Sequence, residues 1–338
     1  MNAMPFSVKI AGSPLEFECG AGESLLRAGL RAGIGLPYEC SVGGCGSCKF
    51  ELVEGEILDN WPDAPGIRPK ERARGRRLAC QSIPVSDCVI KARADDVFVP
   101  RVAPRRFPAQ LHGTVPVTSD IARFVFSGAG RAEFLPGQYA LLRLPGSGTT
   151  RAYSMSNLAN DAGEWAFMIR RTGGEATTQL FESLRPGDEV EIDGPYGLAY
   201  LREDPGRDLV CVAGGSGLAP IVSIAHGALS SERLKNLGLW LFYGARGPSD
   251  LPSFPDWIPA GGKLKIHPAV SVPALADEAN WAGDVCFVHE LLPRKLPRPL
   301  PEYEFYLAGP PPMIEAVVGL LVAEHRVPQS QVHYDRFF

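Results

Sequence analysis

Apolar and polar positions alternate near the start of the chain in a way that predicts a small sheet crossed by one helix. Phe6–Ile10 alternates with a period of two and is expected to form a strand. Residues 24–32 repeat apolar side chains at helical spacing, with Glu23 or Ser24 suited to cap the helix. A second alternating run covers 48–53. Together these elements predict a compact α+β domain.

The pattern changes twice further along the chain. Between 109 and 203, short alternating runs are separated by glycine and proline turns, which predicts a small antiparallel barrel. From 204 onward, apolar strands at 209–213 and 237–243 flank a helical stretch at 218–230. Strands that alternate with helices indicate an α/β domain with a parallel sheet.

A proline-rich segment without helical or strand period, 97–108, is expected to connect the first two of these regions. The 338 residues are too many for one small domain, and a hydrophobic content of 45% is enough for more than one core. The chain is therefore expected to be a multidomain α+β and α/β protein, with domains at 1–96, 109–203 and 204–338.

Composition narrows the possible partners. The net charge of -4 comes without a long basic tract, which argues against nucleic acid. No run approaches the roughly 20 apolar residues that cross a membrane, and the first residues lack a secretory signal pattern. We expect a cytoplasmic protein that binds neither nucleic acid nor membrane, with a monomer as the default state.

Four cysteines carry the strongest chemical signal. Cys40, Cys45, Cys48 and the distant Cys80 follow the spacing C-x4-C-x2-C…C of plant-type 2Fe-2S ferredoxins. The alternative, a zinc site, usually pairs C-x2-C twice or includes histidine, and no histidine precedes His112. Glycines in this loop allow backbone N–H groups to point at sulfur. The resemblance to these ferredoxins implies a β-grasp fold for the N-terminal domain and electron transfer as its function.

The predicted barrel contains Arg151-Ala152-Tyr153-Ser154, which places a cation, an aromatic ring and a hydroxyl on one extended segment. Here the chain resembles the ferredoxin-NADP reductase superfamily, whose R-x-Y-S motif binds flavin. The resemblance implies that Arg151 neutralises the FAD pyrophosphate and that Tyr153 packs against the isoalloxazine. It also implies that Ser154 hydrogen-bonds near the flavin N5, which makes it a catalytic candidate.

A glycine-rich segment, 173–178, comes directly before a predicted helix. Backbone N–H groups at a helix N-terminus bind phosphate, and the superfamily uses such a segment for FAD. The resemblance assigns Gly174, Ala176 and Thr177 to this role, with threonine where many relatives have serine. A capped helix with nothing bound is the alternative.

A second glycine-rich loop follows the strand at 209–213 and brings backbone close enough to hold a pyrophosphate. It lacks the G-x-G-x-x-G fingerprint, but the reductase superfamily has such a loop in its pyridine-nucleotide domain. Ala308 stands where relatives commonly have cysteine. The resemblance assigns the nucleotide to Gly214, Gly215, Ser216, Gly217, Pro220, Gly309, Pro310 and Met313.

Two further pairs of residues concern the choice and handling of the nucleotide. Arg246 is suited to a 2'-phosphate, whereas Asp250 is suited to accept from ribose hydroxyls and would repel that phosphate, so we expect NADH. In the superfamily a C-terminal aromatic often covers the flavin, which makes Phe338 the candidate, although it is also suited to simple packing. Asp335 is expected to orient the site or assist proton transfer, with an exposed carboxylate as the alternative.

The order of ferredoxin, FAD barrel and nucleotide domain resembles the single-chain reductase components of bacterial aromatic-ring oxygenases. Residues 61–66 and 335–338 look most like the toluene 4-monooxygenase reductase group. The resemblance implies that electrons pass from NADH through FAD and 2Fe-2S to a separate terminal oxygenase or an intermediary ferredoxin.

Other functions remain open at this point. The same domain order occurs in reductases that serve deoxysugar-forming dehydratases, and no motif here excludes such a partner. A metal-stabilised scaffold would leave the flavin and nucleotide motifs unexplained. A self-contained oxygenase is not expected, because the chain has neither a Rieske Cys/His pair nor paired Glu-x-x-His motifs.

One basic stretch, 70–77, stands close in sequence to Cys80, within a domain that otherwise balances acidic and basic residues. It is either a solvated face or a docking surface for an acidic partner.

Overall fold

The computed structural model describes residues 4–146, 150–258 and 264–338. The chain forms two compact units. The first comprises the residues up to Arg106 together with Asp193–Gly197 and Phe338, and the second comprises Phe107–Ile192 and Leu198–Phe337.

The first unit is a five-stranded mixed sheet with the order β2-β1-β7-β3-β5, accompanied by a two-stranded sheet of β4 and β6. β1 pairs parallel with β7, and the other neighbours in the large sheet pair antiparallel. This is the β-grasp layout expected from the sequence. Its elements are β1 (Phe6–Ile10), β2 (Glu16–Cys19), α1 (Leu25–Arg31), β3 (Lys49–Glu54), β4 (Ile57–Asp59), α2 (Pro69–Ala73), β5 (Arg76–Leu78), β6 (Ser82–Pro84) and β7 (Cys88–Lys91).

Helix α1 forms where the helical spacing predicts it. The Ser24 side chain accepts a hydrogen bond from the backbone N–H of Arg27 at 3.5 Å, which satisfies one of the donors that a helix start leaves without partners. Leu25, Leu26 and Leu30 are buried beneath the helix. Of the two expected caps, Ser24 is therefore the one used.

The end of strand β13 (Glu189–Tyr196), which begins in the second unit, belongs to the first unit. Asp193 is 3% exposed and accepts a hydrogen bond from the hydroxyl of Tyr196 at 2.7 Å. Its carboxylate lies 3.5 Å from the Arg31 guanidinium and 3.9 Å from that of Arg27. One buried carboxylate thus balances two arginines from the turns of α1.

The second unit contains a six-stranded antiparallel barrel with the order β11-β10-β13-β8-β9-β12, in which a bridge between Met155 and Phe167 joins the two ends. Its core is aromatic, with Phe124, Phe126 and Trp165 fully buried. Its strands are β8 (Arg105–Pro116), β9 (Ile121–Gly128), β10 (Tyr139–Arg143), β11 (Thr150–Ser154), β12 (Glu164–Arg170) and β13.

Strand β8 begins at Arg105, inside the segment 97–108 that the sequence predicts to be a connector. Phe107 and Ala109 point into the barrel core, while Pro108 between them is exposed. The pairing of β8 with β9 starts only at Ala109, so Pro108 interrupts no bond of that ladder. The prolines concealed the first turn of an otherwise regular strand.

The rest of the second unit is a parallel sheet with the order β17-β16-β15-β14-β18-β19, as the alternation of strands and helices predicts. Its strands are β14 (Asp208–Gly214), β15 (Leu239–Ala245), β16 (Leu264–Val270), β17 (Asp284–Val285), β18 (Tyr303–Gly309) and β19 (Val332–Arg336). The helices of this unit are α3 (Glu175–Thr178), α4 (Leu218–Ser230), α5 (Phe254–Trp257), α6 (Pro273–Glu278), α7 (Val288–Lys295) and α8 (Pro311–Val318).

The strand order reverses beside β14. The chain moves outward from β14 through β15, β16 and β17, and then returns to place β18 on the other side of β14. In open parallel sheets a ligand crevice opens at such a reversal, outside the carboxyl ends of the strands. The fold therefore places the nucleotide crevice at the ends of β14 and β18.

No helix in the three described stretches has the length and apolar character needed to cross a membrane.

Candidate cofactor sites

The four predicted metal ligands lie together in the first unit. Cys40, Cys45 and Cys48 occupy the loop between α1 and β3, and Cys80 follows β5. The side chains form two hydrogen-bonded pairs, Cys40 with Cys45 and Cys48 with Cys80. Among the described residues no three His, Cys, Asp or Glu side chains converge on one metal position. Two pairs of thiols fit a two-iron cluster, with two ligands to each iron, better than a single zinc ion.

Backbone N–H groups point at the cysteine sulfurs, as the glycine content of the loop suggests. The N–H of Cys45 donates to Cys40 Sγ at 3.3 Å, and that of Ser47 donates to Cys45 Sγ at 3.4 Å. The hydrogen bond from Cys40, with help from Ser47, outweighs burial and lowers the pKa of Cys45 to about 5. Since metals bind the thiolate, this environment favours the ligand form of Cys45.

The cluster loop is held by the segment 61–67. The N–H of Gly66 donates to the carbonyl of Gly43 at 2.9 Å. Gly46 has a φ of +79°, and a Cβ placed there would lie 2.2 Å from the Gly66 carbonyl oxygen. Only glycine allows this approach. The shape of the loop therefore depends on backbone contact with the segment that follows it.

The two C-terminal candidates lie in different environments. Phe338 is 56% exposed and packs on the cluster loop, where a Cβ at Gly44 would lie 2.6 Å from its Cβ. A flavin-covering role for Phe338 stays a prediction. Asp335 is 8% exposed and lies opposite Ala308 in the pairing of β19 with β18. The alternative of an exposed carboxylate is therefore wrong for Asp335, while its role in proton transfer stays a prediction.

The predicted flavin motif lies on strand β11, at one end of the barrel sheet order. Arg151 is exposed, and its guanidinium donates to the Thr150 carbonyl at 3.0 Å. Burial raises the pKa of Tyr153 to about 12, and Ser154 is 5% exposed. An exposed cation beside a largely buried phenol and a hydroxyl fits a ligand that has a charged pyrophosphate and a flat ring.

The second flavin segment forms the start of α3. Gly174 caps the helix, and Ala176 and Thr177 are buried behind it. The Thr177 hydroxyl donates to the Gly174 carbonyl at 3.1 Å and accepts from the backbone N–H of Thr172 at 3.3 Å. Thr177 thereby closes the loop, while the first N–H groups of the helix have no acceptor inside it. The segment fits a phosphate that is bound by backbone groups.

The predicted nucleotide residues meet at a cleft of about 250 Å³ at the carboxyl ends of the parallel strands. Those that line the cleft are Gly214, Gly215, Arg246, Asp250, Pro310 and Met313. The remaining candidates, Ser216, Gly217, Pro220 and Gly309, are not among the lining residues.

Two of the remaining candidates shape the cleft from behind. A Cβ at Gly217 would lie 2.0 Å from the carbonyl oxygen of Ala308, so the loop after β14 touches β18 through bare backbone. Gly309 has a φ of +152°, and a Cβ there would lie 2.7 Å from Met313 Cε. Both positions require glycine in order to bring β14 and β18 together at the crevice.

The two residues that bear on cofactor choice are partners in this structure. Arg246 Nε lies 3.5 Å from the Asp250 carboxylate, and the Arg246 side chain is 69% exposed. The carboxylate lines the cleft and draws the cation to itself, which reduces the positive charge that a 2'-phosphate would meet.

Sequence reasoning missed several residues of the cleft, of which Arg170 has the clearest geometry. Arg170, the last residue of β12, donates from Nε to the Asp120 carboxylate at 2.6 Å. Its Nη1 lies 3.4 Å from where a Cβ of Gly215 would be. Tyr243 reaches the same loop and donates to the Gly215 carbonyl at 3.1 Å. Local pattern cannot reveal these contacts, because β12 belongs to the barrel and the loop belongs to the parallel sheet.

Phe287 is a further lining residue that the sequence did not single out. Its side chain is 61% exposed at the cleft, and its ring stacks on His289 with centroids 5.9 Å apart. A flat apolar surface of this kind suits the ring of a nucleotide base.

Three family models match the chain in succession. Residues 8–85 match the 2Fe-2S iron-sulfur cluster binding domain, residues 108–200 match the oxidoreductase FAD-binding domain, and residues 211–319 match the oxidoreductase NAD-binding domain.

The chain is also similar to known proteins over nearly its full length. A ferredoxin–NAD(P)+ reductase of Metapseudomonas resinovorans is 41% identical over 325 residues, which cover 95% of this chain and 96% of that protein. The xylene/toluene monooxygenase electron transfer component of Pseudomonas putida is 31% identical over 340 residues, covering 98% and 93%. The solved ferredoxin reductase in carbazole 1,9a-dioxygenase superposes with a TM-score of 0.91 at 38% identity, covering 99% and 98%.

Proposed function

Because this chain belongs to the ferredoxin–NAD(P)+ reductases that join a 2Fe-2S domain, an FAD-binding domain and an NAD-binding domain, we propose that it serves a multicomponent aromatic-ring oxygenase as its reductase component. The observation that carries the proposal is the presence, in one chain, of two cysteine pairs and a nucleotide cleft. The chemistry that the bound cofactors supply is the division of an electron pair from a nicotinamide into single electrons.

The side chains of the protein bind and align these groups. Arg151 offers charge to the FAD pyrophosphate, Tyr153 offers an aromatic face to the flavin ring, and Ser154 offers a hydroxyl beside it. The backbone of the loop after β14 receives the nucleotide pyrophosphate, with Arg170 above Gly215. Cys40, Cys45, Cys48 and Cys80 hold the cluster.

The names of the relatives support the identity of the electron acceptor as a terminal oxygenase or an intermediary ferredoxin. One named system oxidises carbazole and another oxidises xylene or toluene. We further propose a cytoplasmic monomer that uses NADH, since Asp250 lines the cleft and pairs with Arg246.

An anaerobic titration of the purified protein, followed by its visible spectrum, tests the function and the donor. Flavin and iron–sulfur bands are expected to bleach with about one equivalent of NADH, and NADPH is expected to act more slowly because Asp250 repels its 2'-phosphate. A protein that takes up FAD but carries no iron–sulfur absorption would contradict the assignment of the cysteines. Equal bleaching rates with both nucleotides would contradict the choice of NADH.

Replacing Arg170 by alanine is expected to raise KM for NADH roughly 10- to 100-fold, because a charge-assisted hydrogen bond contributes about 1.5–3 kcal/mol. kcat should change little, since Arg170 faces the nucleotide-binding loop. The measurement is steady-state NADH oxidation with ferricyanide as acceptor. The matched control is Arg171→Ala, because Arg171 lies over the Phe181 ring and does not line the cleft. Equal KM values in the two variants would remove Arg170 from nucleotide binding.

A further inference from the structure

Helix α2 and the strand after it carry a concentration of exposed positive charge, called here the basic face. Cations outnumber carboxylates by more than two to one when the neighbours Lys49, Glu51, Asp59 and Glu71 are included. The basic face consists of Arg68, Lys70, Arg72, Arg74, Arg76 and Arg77.

Nearby carboxylates neutralise only part of this charge. Asp59 pairs with Arg72 at 2.6 Å, and Glu71 pairs with Lys49 at 2.9 Å. Lys70 and Arg74 are exposed, and within 4–146, 150–258 and 264–338 neither has a carboxylate at ion-pair distance. The basic face therefore keeps a net positive charge in a protein whose overall charge is negative.

The basic face adjoins the cluster loop on both sides along the chain. Gly66, two residues before Arg68, donates its N–H to the carbonyl of Gly43 in that loop. Cys80 comes two residues after the end of β5. Trp61, which is 42% exposed, lies 3.1 Å from where a Cβ of Gly43 would be. An exposed aromatic ring and unpaired cations thus occur beside the ligands that would hold the cluster.

We propose that the basic face, with Trp61, is the surface on which an acidic electron-accepting protein docks to take electrons from the cluster. This inference rests on the proposed function. The occupant is acidic because the unpaired charge is positive, and it is a redox protein because this surface adjoins the cluster ligands. Complementary charge speeds encounter and is screened by salt, over a Debye length of about 10 Å at 0.1 M.

The test uses two haem proteins of opposite surface charge, acidic cytochrome b5 and basic cytochrome c, each mixed with the NADH-reduced full chain. Wild-type protein is expected to reduce cytochrome b5 faster at low salt than at high salt. The double variant Lys70→Glu/Arg74→Glu should reduce it roughly tenfold more slowly at low salt, by the loss of electrostatic steering. Cytochrome c should be reduced at an unchanged or higher rate by the same variant.

The matched control is Lys9→Glu/Arg326→Glu, which changes the net charge equally at two exposed cations outside the basic face. It is expected to retain most of the wild-type rate with cytochrome b5. A salt-independent wild-type rate, or equal slowing by both double variants, would overturn the proposal. Bleaching of flavin and cluster by NADH is measured in parallel. If that bleaching fails in the wild type, the proposed function itself is wrong.

Discussion

Replacing Cys45 by alanine is expected to abolish NADH-dependent reduction of cytochrome c while NADH-dependent reduction of ferricyanide continues. Alanine removes one of the four cluster ligands and leaves no oxygen in its place, as serine would. It also removes a sulfur that Cys40 and the Ser47 N–H contact. Ferricyanide accepts electrons at the level of the flavin, so its reduction needs only the second unit. The measurement is the ratio of the two rates on the same preparation.

The control for Cys45→Ala is Cys88→Ala in the same unit. Cys88 is buried, but its thiol donates to the carbonyls of Ser86 and Glu56 and not to the cluster loop. This variant should keep the 2Fe-2S spectrum and the wild-type ratio of rates. If Cys45→Ala lowered both rates equally, flavin and cluster would not be separable stages of one electron path.

Replacing Asp193 by alanine is expected to destabilise the first unit by about 3–5 kcal/mol, the usual cost of removing one partner from a buried ion pair. Burial alone lowers the pKa of Arg31, but the charges of Asp193 and Glu23 outweigh it and raise that pKa. The variant leaves Arg27 and Arg31 close together with less negative charge beside them. Tyr196 also loses the acceptor of its hydroxyl.

Hydrogen exchange of the α1 amides in the full-length protein measures this effect. Since each 1.4 kcal/mol is tenfold, protection should fall by roughly 10²- to 10³-fold. The control is Asp161→Ala, whose carboxylate pairs with Arg131 at 2.6 Å while 85% exposed. An exposed pair contributes little, so α1 should exchange at its wild-type rate there. Unchanged exchange in Asp193→Ala would mean that the two arginines are satisfied by Glu23 and solvent.

Local elements were predictable because their signals lie within a few residues of one another. Strand β1 has the bounds that its alternation predicts, and α4 covers the predicted stretch 218–230. Helix α1 begins directly after the expected cap Ser24. The cysteine ligands were predictable for a different reason, because cluster geometry constrains their spacing along the chain.

Features that depend on distant pairing were not predictable. The contact of Arg170 with the loop at Gly215 requires the barrel and the parallel sheet to meet, which no local pattern encodes. The same holds for Asp193, whose neighbours along β13 give no sign that its carboxylate balances two arginines far away in sequence. The early start of β8 was hidden by Pro108, which normally argues against a strand.

The discontinuity of the first unit bears on how such reductases exchange their parts. Asp193–Gly197 is separated from the rest of that unit by more than 80 residues of barrel. A ferredoxin segment transplanted from a relative by joining chains within 97–108 would arrive without the strand end that its own helix evolved to contact. Recombination at this boundary is therefore expected to succeed only between reductases that already agree at 27, 31 and 193. Compatibility of these positions, more than the length of the connector, sets which ferredoxins can replace one another.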